Sequence, residues 1–376
     1  MQRVLNKITI DWILFTALLP ILGAGLLAMY SFGGDNYFAS RQIIWVVVAI
    51  GVFFGASLFD WRFLKRSDVL VGLFIAAIAV LAFLFVVGTT VKGAQSWLQF
   101  GGFTVQPSDP VKILIILILA KYFSRRHIEI AHVRHILVSG FYAFVPFILV
   151  FLQPDLGSAI IIFSIWLGMV IIAGVSKKHL ALVFAIGAAV FFLLWSFVFH
   201  DYQKERILTF LNPLTDLQGA GYNAYQSTIA VGSGGVIGKG VGFGTQSRLE
   251  FLPEYETDFI FAAFAEEWGF VGVALLFLMF GIVMWRIIRA ALLGASNFET
   301  LYAAGLVILF TTHFVIHIGM NIGLLPVTGT PLPFMSYGGS HLVTEFAALG
   351  ILMGMRRRER PAHRDELGKE IVGGVM

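Results

Sequence analysis

Long apolar runs separated by short polar segments limit this chain more than any other feature. Hydrophobic residues make up 58% of it and charged residues only 13%, with a mean hydropathy of +0.85. A water-soluble protein of this length needs far more charge to cover its surface. A lipid-facing exterior resolves the excess. One helical crossing of a bilayer core takes about 20 apolar residues. Such runs lie near 12–30, 43–59, 69–87, 110–123, 136–152, 155–174, 180–199, 258–285, 300–325 and 340–355. The expected fold is an all-α polytopic integral membrane protein of about ten transmembrane helices, one membrane domain over 1–376. The first run is too long for a leader's apolar core and lacks a small-residue cleavage site after it, so it reads as a retained span. The run from Pro110 is short, and Gln153-Pro154-Asp155 is the hinge between its two successors.

The placement of Lys and Arg orients the helices. With the N-terminus inside, 19 of the 26 basic residues fall on the cytoplasmic side, six of them in the tail 356–376. Arg41, Lys92, Lys112, Lys204, Arg206, Lys239 and Arg248 are left outside or near the outer boundary. Both termini are therefore expected in the cytoplasm, with the tail a flexible basic segment on anionic headgroups. Residues 200–257 form one large extracytoplasmic loop. It is too aromatic for plain disorder, with Tyr202, Phe210, Tyr222, Tyr225, Phe243 and Phe251, and is expected to pack back on the helices as a lid.

Several function classes drop out. The net charge of +4 is dispersed between apolar runs rather than gathered in a patch, which argues against nucleic acid. Without cysteine there is no disulfide, thiolate metal site or Cys nucleophile. The stretch Gly232–Thr245 resembles a phosphate loop but places Ser233 and Gly240 where Walker A needs Gly and Ser or Thr. It reads either as a tight connector or as an amide-rich cradle for an anion, with local mobility. His313, His317 and Asn321 form one polar stripe, read as interhelical hydrogen bonding rather than as a metal site, because Phe314 stands where a zincin has Glu.

Ionisable groups in spans cost about 2.5–3.5 kcal/mol each and ask for a reason. They are Asp11, Asp109, Lys112, Asp155, Asp258, Glu266, Glu267 and Glu345. Asp109, Lys112, Asp155 and Asp258 come from three spans yet share the outer depth, which points to a polar cavity open outward. Any one of them alone could simply reach headgroup water. Glu266, Glu267 and Glu345 are expected to hydrogen-bond between helices.

Four stretches carry a specific likeness. They are Gln106-Pro-Ser-Asp-Pro-Val-Lys112, Gln153-Pro-Asp-Leu-Gly157, Phe251-Leu-Pro-Glu-Tyr-Glu-Thr-Asp-Phe-Ile-Phe-Ala262 and Gly323-Leu-Leu-Pro-Val-Thr-Gly-Thr-Pro-Leu-Pro-Phe-Met-Ser-Tyr-Gly-Gly-Ser340. In this order they resemble the signatures of the SEDS proteins (shape, elongation, division and sporulation). Gln226–Gly235, Gly244–Ser247 and Pro326–Gly329 look like the RodA elongation type rather than the FtsW division type. Asp109 stands in place of the usual Glu, Glu256 in place of a common His, and His341 in place of a second Ser.

The resemblance implies a peptidoglycan glycosyltransferase that polymerises lipid II on the outer face of the cytoplasmic membrane during elongation. A class B penicillin-binding protein would be its transpeptidase partner, among other elongation-complex proteins. Asp258 matches the family's essential carboxylate and is expected to be the general base. Gln106, Asp109, Lys112, Asp155, Glu254, Ser336 and Ser340 are the implied substrate contacts. Arg206, Lys239 and Arg248 are further cations for the pyrophosphate, and a divalent cation such as Mg or Mn is a candidate cofactor. The rival readings are a lipid II flippase and a non-catalytic scaffold. A transporter usually shows repeated halves and midplane charge, whereas here the halves differ and the charges gather on one side.

Overall fold

The computed structural model describes residues 10–31, 37–91, 94–100, 103–124, 133–197, 204, 210, 220–249, 251–252 and 254–373. Each expected span falls on a helix. In chain order these are α1 (Trp12–Ser31), α2 (Tyr37–Leu58), α3 (Ser67–Val87), α4 (Ser108–Ser124), α5 (Val133–Leu152), α6 (Leu156–Ile172), α7 (Lys177–Phe197), α8 (Ala220–Ser233), α9 (Thr245–Arg248), α10 (Ile260–Leu292), α11 (Asn297–Asn321) and α12 (Gly339–Gly373). Among the described residues six helices are long and apolar enough to cross a membrane, and shorter apolar helices include Leu156–Ile172. Large side chains such as Val47, Phe83, Phe270 and Leu275 are exposed on the outside. In water that surface would aggregate; in lipid it is the ordinary exterior.

Helix α4 explains why the shortest expected span carries charge. Most of its residues are buried, from Ser108 to Phe123, so it faces other helices rather than lipid. Asp109 and Lys112 therefore meet partners inside the bundle. At the opposite end Asp11 caps α1 through the Leu14 amide and accepts from the Arg286 guanidinium at 2.6 Å. Arg356 approaches the same carboxylate at 3.7 Å, so α1, α10 and α12 are tied together there.

Between α3 and α4 the chain forms a three-stranded antiparallel sheet, β1 (Thr89–Val91), β2 (Ala94–Phe100) and β3 (Phe103–Val105). The sequence reading passed over it, because the strands are too short for a period-2 signal to stand out. The Gln95 amide donates to the Gln153 carbonyl, and the Gln153 side chain donates to the Leu81 carbonyl, so the sheet is pinned to the α5–α6 hinge.

The glycine-rich stretch does different work from the expected cradle. Helix α10 breaks at Gly269, whose φ of 61° and ψ of −165° are open essentially to glycine alone. The break strands backbone groups that lipid cannot satisfy. Residues 235–240 satisfy them: the amides of Lys239 and Gly240 donate to the carbonyls of Glu266 and Glu267, and those of Phe270 and Val271 donate to the carbonyls of Gly235 and Val236. A Cβ at Gly234 or Gly238 would collide with the Ala265 or Glu267 carbonyl. These amides are consumed, so they are not free to cradle an anion. Gly269→Ala is expected to cost about 1–3 kcal/mol from backbone strain alone, with more from the collision of its Cβ with Gly238. Gly51→Ala, where a Cβ meets nothing within 4 Å, is the neutral control. Thermal unfolding in detergent reads both.

The outer segment does pack back, in part. Helix α8 lies on α10 and α11, with Ser227 donating to the Asn321 carbonyl at 2.8 Å. The backbone of α12 continues as helix to Gly373. Arg, Glu and Leu are good helix formers and simply propagate the last span.

Candidate active site

Asp258 stands on a tight turn at the start of α10. The turn is wound by Glu254, which adopts φ 53° and whose carbonyl accepts from the amides of Thr257, Asp258 and Phe259. Three anchors from other elements fix it. Asn321 donates to the Asp258 carbonyl at 2.9 Å, Ser336 Oγ donates to the Thr257 carbonyl at 2.8 Å, and the Tyr337 amide donates to the Glu256 carbonyl at 2.8 Å. Gly329, at φ 70°, lies against the carboxylate itself, since a Cβ there would sit 3.6 Å from Asp258 Oδ2. Asp258 is half-buried. Burial raises the Tyr337 hydroxyl above its ordinary value, so it stands neutral beside this turn.

A second cluster is wholly internal. Lys112 Nζ donates to Asp109 Oδ1 at 2.9 Å, and both side chains are almost completely buried. His341 Nδ1 lies 3.3 Å from the same Asp109 oxygen, and its Nε2 lies 3.0 Å from Glu345 Oε1. The other Glu345 oxygen accepts from the Phe334 amide at 2.9 Å. Glu345 is thus a helix-to-loop anchor rather than the expected bond between helices, its second partner being His341 on the same helix.

The remaining expected contacts divide. Asp155 caps α6 by accepting from the Ser158 amide and takes a second bond from Gln106 Nε2 at 2.8 Å. The Gln106 amide in turn donates to Ser340 Oγ. Ser336 Oγ accepts from the Leu332 amide and holds Thr257. Gln106, Asp155, Ser336 and Ser340 therefore knit the motifs together. Glu254 contributes its backbone, and its carboxylate accepts from Thr257 Oγ1 at 3.4 Å.

Lys239 is paired within the protein. Its ammonium is bound to fully buried Glu266 at 2.7 Å and to Thr245 at 2.8 Å, because a buried carboxylate demands a cation and takes the nearest. Arg248 is exposed on four-residue α9 and reaches the Gly242 carbonyl at 3.5 Å. Arg206 lies outside the described residues.

Sequence reasoning missed two organisers. Gln42 on α2 donates to the Ser336 carbonyl and accepts from the Gly338 amide, holding the 322–338 loop from the far side. Asn321 ends the polar stripe but is also the hub of the Asp258 turn, accepting from the Ala262 amide as it donates to Asp258. His313 and His317 face the Pro331 and Thr330 carbonyls, so the stripe is the hydrogen-bonded kind. A Cβ at Gly157 would press on Thr328 and Thr330. The first three sequence stretches thus each touch the fourth, 323–340: Gln106 at Ser340, Gly157 at Thr328 and Thr330, and the Asp258 turn at Gly329 and Ser336.

Residues 3–361 match the family model of the FtsW, RodA and SpoVE cell cycle proteins. The chain is 38% identical over 299 residues to the peptidoglycan glycosyltransferase MrdB of Escherichia coli K12, covering 80% of this chain and 79% of that protein. It is 34% identical over 370 residues to stage V sporulation protein E of Bacillus subtilis, covering 94% and 99%. Among solved structures, a chain of a peptidoglycan synthase complex that coordinates polymerisation and crosslinking superposes with a TM-score of 0.80 at 28% identity, covering 93% of this chain and 98% of that one. The rod shape determining protein RodA of Thermus thermophilus gives 0.69 at 27% identity, covering 93% and 97%. This chain belongs to the FtsW/RodA/SpoVE family.

Proposed function

We propose that this protein is a RodA-type peptidoglycan glycosyltransferase that polymerises lipid II at the outer face of the cytoplasmic membrane, with both termini inside. The observation that carries the reading is that three of the four stretches each touch the fourth, with the Asp258 carboxylate set against Gly329. Glycan transfer needs a base for the acceptor 4-hydroxyl as it attacks the donor's anomeric carbon, while the pyrophosphate leaves. Asp258 takes that proton. A turn held by Asn321, Ser336 and Tyr337 keeps the carboxylate from wandering, which is where most of the advantage of a positioned base lies. Lys112 supplies positive potential for the departing pyrophosphate; Asp109 takes one of the three ammonium donors.

A divalent cation would neutralise pyrophosphate charge in the same way. Among the described residues no group of three His, Cys, Asp or Glu side chains is placed to hold one, and no step is assigned to it. The partner is a transpeptidase of the class B penicillin-binding type, a reading supported by the likeness to a chain of a polymerising and crosslinking complex. The test is direct. The purified protein, with that partner and lipid II in detergent, is expected to yield glycan polymer. Transfer of lipid II across vesicles without polymer would favour a flippase, and neither activity would leave a scaffold.

A further inference from the structure

We propose that His341 is a positioning residue that carries a proton between Asp109 and Glu345 and so leaves the Lys112 ammonium available to the substrate's anionic group. This rests on the role of Lys112 given above. The geometry is a proton count. A neutral imidazole has one N–H. Here Nδ1 lies 3.3 Å from an Asp109 oxygen and Nε2 lies 3.0 Å from a Glu345 oxygen, with all three side chains buried or nearly so. Whichever neutral tautomer formed, one ring nitrogen would turn its lone pair on a carboxylate. With both carboxylates ionised, only a ring protonated on both nitrogens satisfies both neighbours.

Charge balance says the same. The titratable groups packed around the ring are Asp109 and Lys112 from α4, His313 from α11, with its ring centroid 5.1 Å away, and Glu345 one turn along α12. His313 directs Nδ1 at the Pro331 carbonyl, 3.3 Å away, and in its neutral form donates there. Two carboxylates and one lysine leave the cluster one positive charge short, and an unbalanced charge in this setting is costly. The proton on His341 supplies it.

Asp109 Oδ2, His341 Nε2 and Glu345 Oε1 nevertheless lack a well-aligned hydrogen-bond partner. They line a cavity of about 10 Å³ beside Lys112, which has room for roughly one water. The functional consequence concerns Asp109, which faces two cations. While His341 is protonated, Asp109 is matched from that side and Lys112 keeps its field. Without that proton, Asp109 is matched by Lys112 alone.

The test has two arms. In protein labelled with ¹⁵N-histidine, the ring signal lost in His341→Gln is expected to show both nitrogens protonated at neutral pH in the wild type, and a neutral ring in Glu345→Gln. In polymerisation assays across pH, the KM for lipid II is expected to be about tenfold higher in His341→Gln, the size of one lost charge-assisted bond, with kcat little changed. The wild-type KM is expected to climb toward that value as the ring loses its proton. A singly protonated ring at neutral pH, or a His341→Gln enzyme with wild-type KM at every pH, overturns the proposal. Should His341→Gln fail to fold, the wild-type ring signal identified through Glu345→Gln decides alone. A protonated ring in a protein that makes no polymer would instead remove the glycosyltransferase reading and leave the proton where it is assigned.

Discussion

Asp258→Asn is expected to fold, bind its transpeptidase partner and make almost no glycan. General-base assistance contributes about 10²–10⁴ in rate, so residual polymer is expected at or below that fraction of wild type. Asn keeps the shape of the side chain, and the bond from Asn321 falls on the backbone carbonyl of this residue, which the substitution leaves in place. The thermal midpoint should therefore move little while product vanishes from a gel of the reaction with lipid II. Wild-type polymer from the mutant would show that another group takes the proton.

The second large effect concerns stability as well as activity. Lys112→Met removes the cation from beside a carboxylate that is almost completely buried. Breaking such a pair by deleting one partner costs about 3–5 kcal/mol, an upper bound here because the His341 ring lies 3.3 Å from the same carboxylate. Adding Asp109→Asn removes the charge that has lost its nearest cation, so the double mutant is expected to regain most of the lost stability. It should not regain activity, because the positive charge is still missing. Stability and polymer yield measured on the two mutants separate the structural duty of Lys112 from its duty toward substrate. A double mutant that polymerises normally would assign Lys112 to structure alone.

How much of this was legible beforehand depends on the range of each interaction. Hydropathy is local, so the helices could be read from runs of apolar residues. Asp109 and Lys112 lie three apart on one helix, a spacing that brings side chains together whatever the tertiary fold. The duties of Gln106, Asp155 and Ser340 were not legible, because Gln106 meets its partners 49 and 234 residues away. Asn321 could be placed on a stripe, but its bond to Asp258 spans 63 residues and leaves no trace in local pattern. The same holds for Lys239, a lone cation in a glycine-rich stretch until Glu266 is brought to it. Glycines were the most deceptive signal. Gly234, Gly238 and Gly269 are needed where backbone meets backbone, a requirement a single sequence cannot tell from flexibility.

The interrupted helix also bears on how the protein is made. The strand of chain that completes the break, 235–240, precedes 266–271, so synthesis from the N-terminus delivers the plug before the helix that needs it. A nascent α10 that met the bilayer first would keep these groups paired by closing as a straight helix, Glu266 with Phe270 and Glu267 with Val271, because an open break in hydrocarbon costs several kcal/mol for each unsatisfied group. The break at Gly269 is then expected to open only as the segment 235–240 docks. A circular permutant opened between 240 and 260, with the old termini joined, would reverse the order of synthesis, and its yield of correctly folded protein should drop even though every contact of the finished fold is retained.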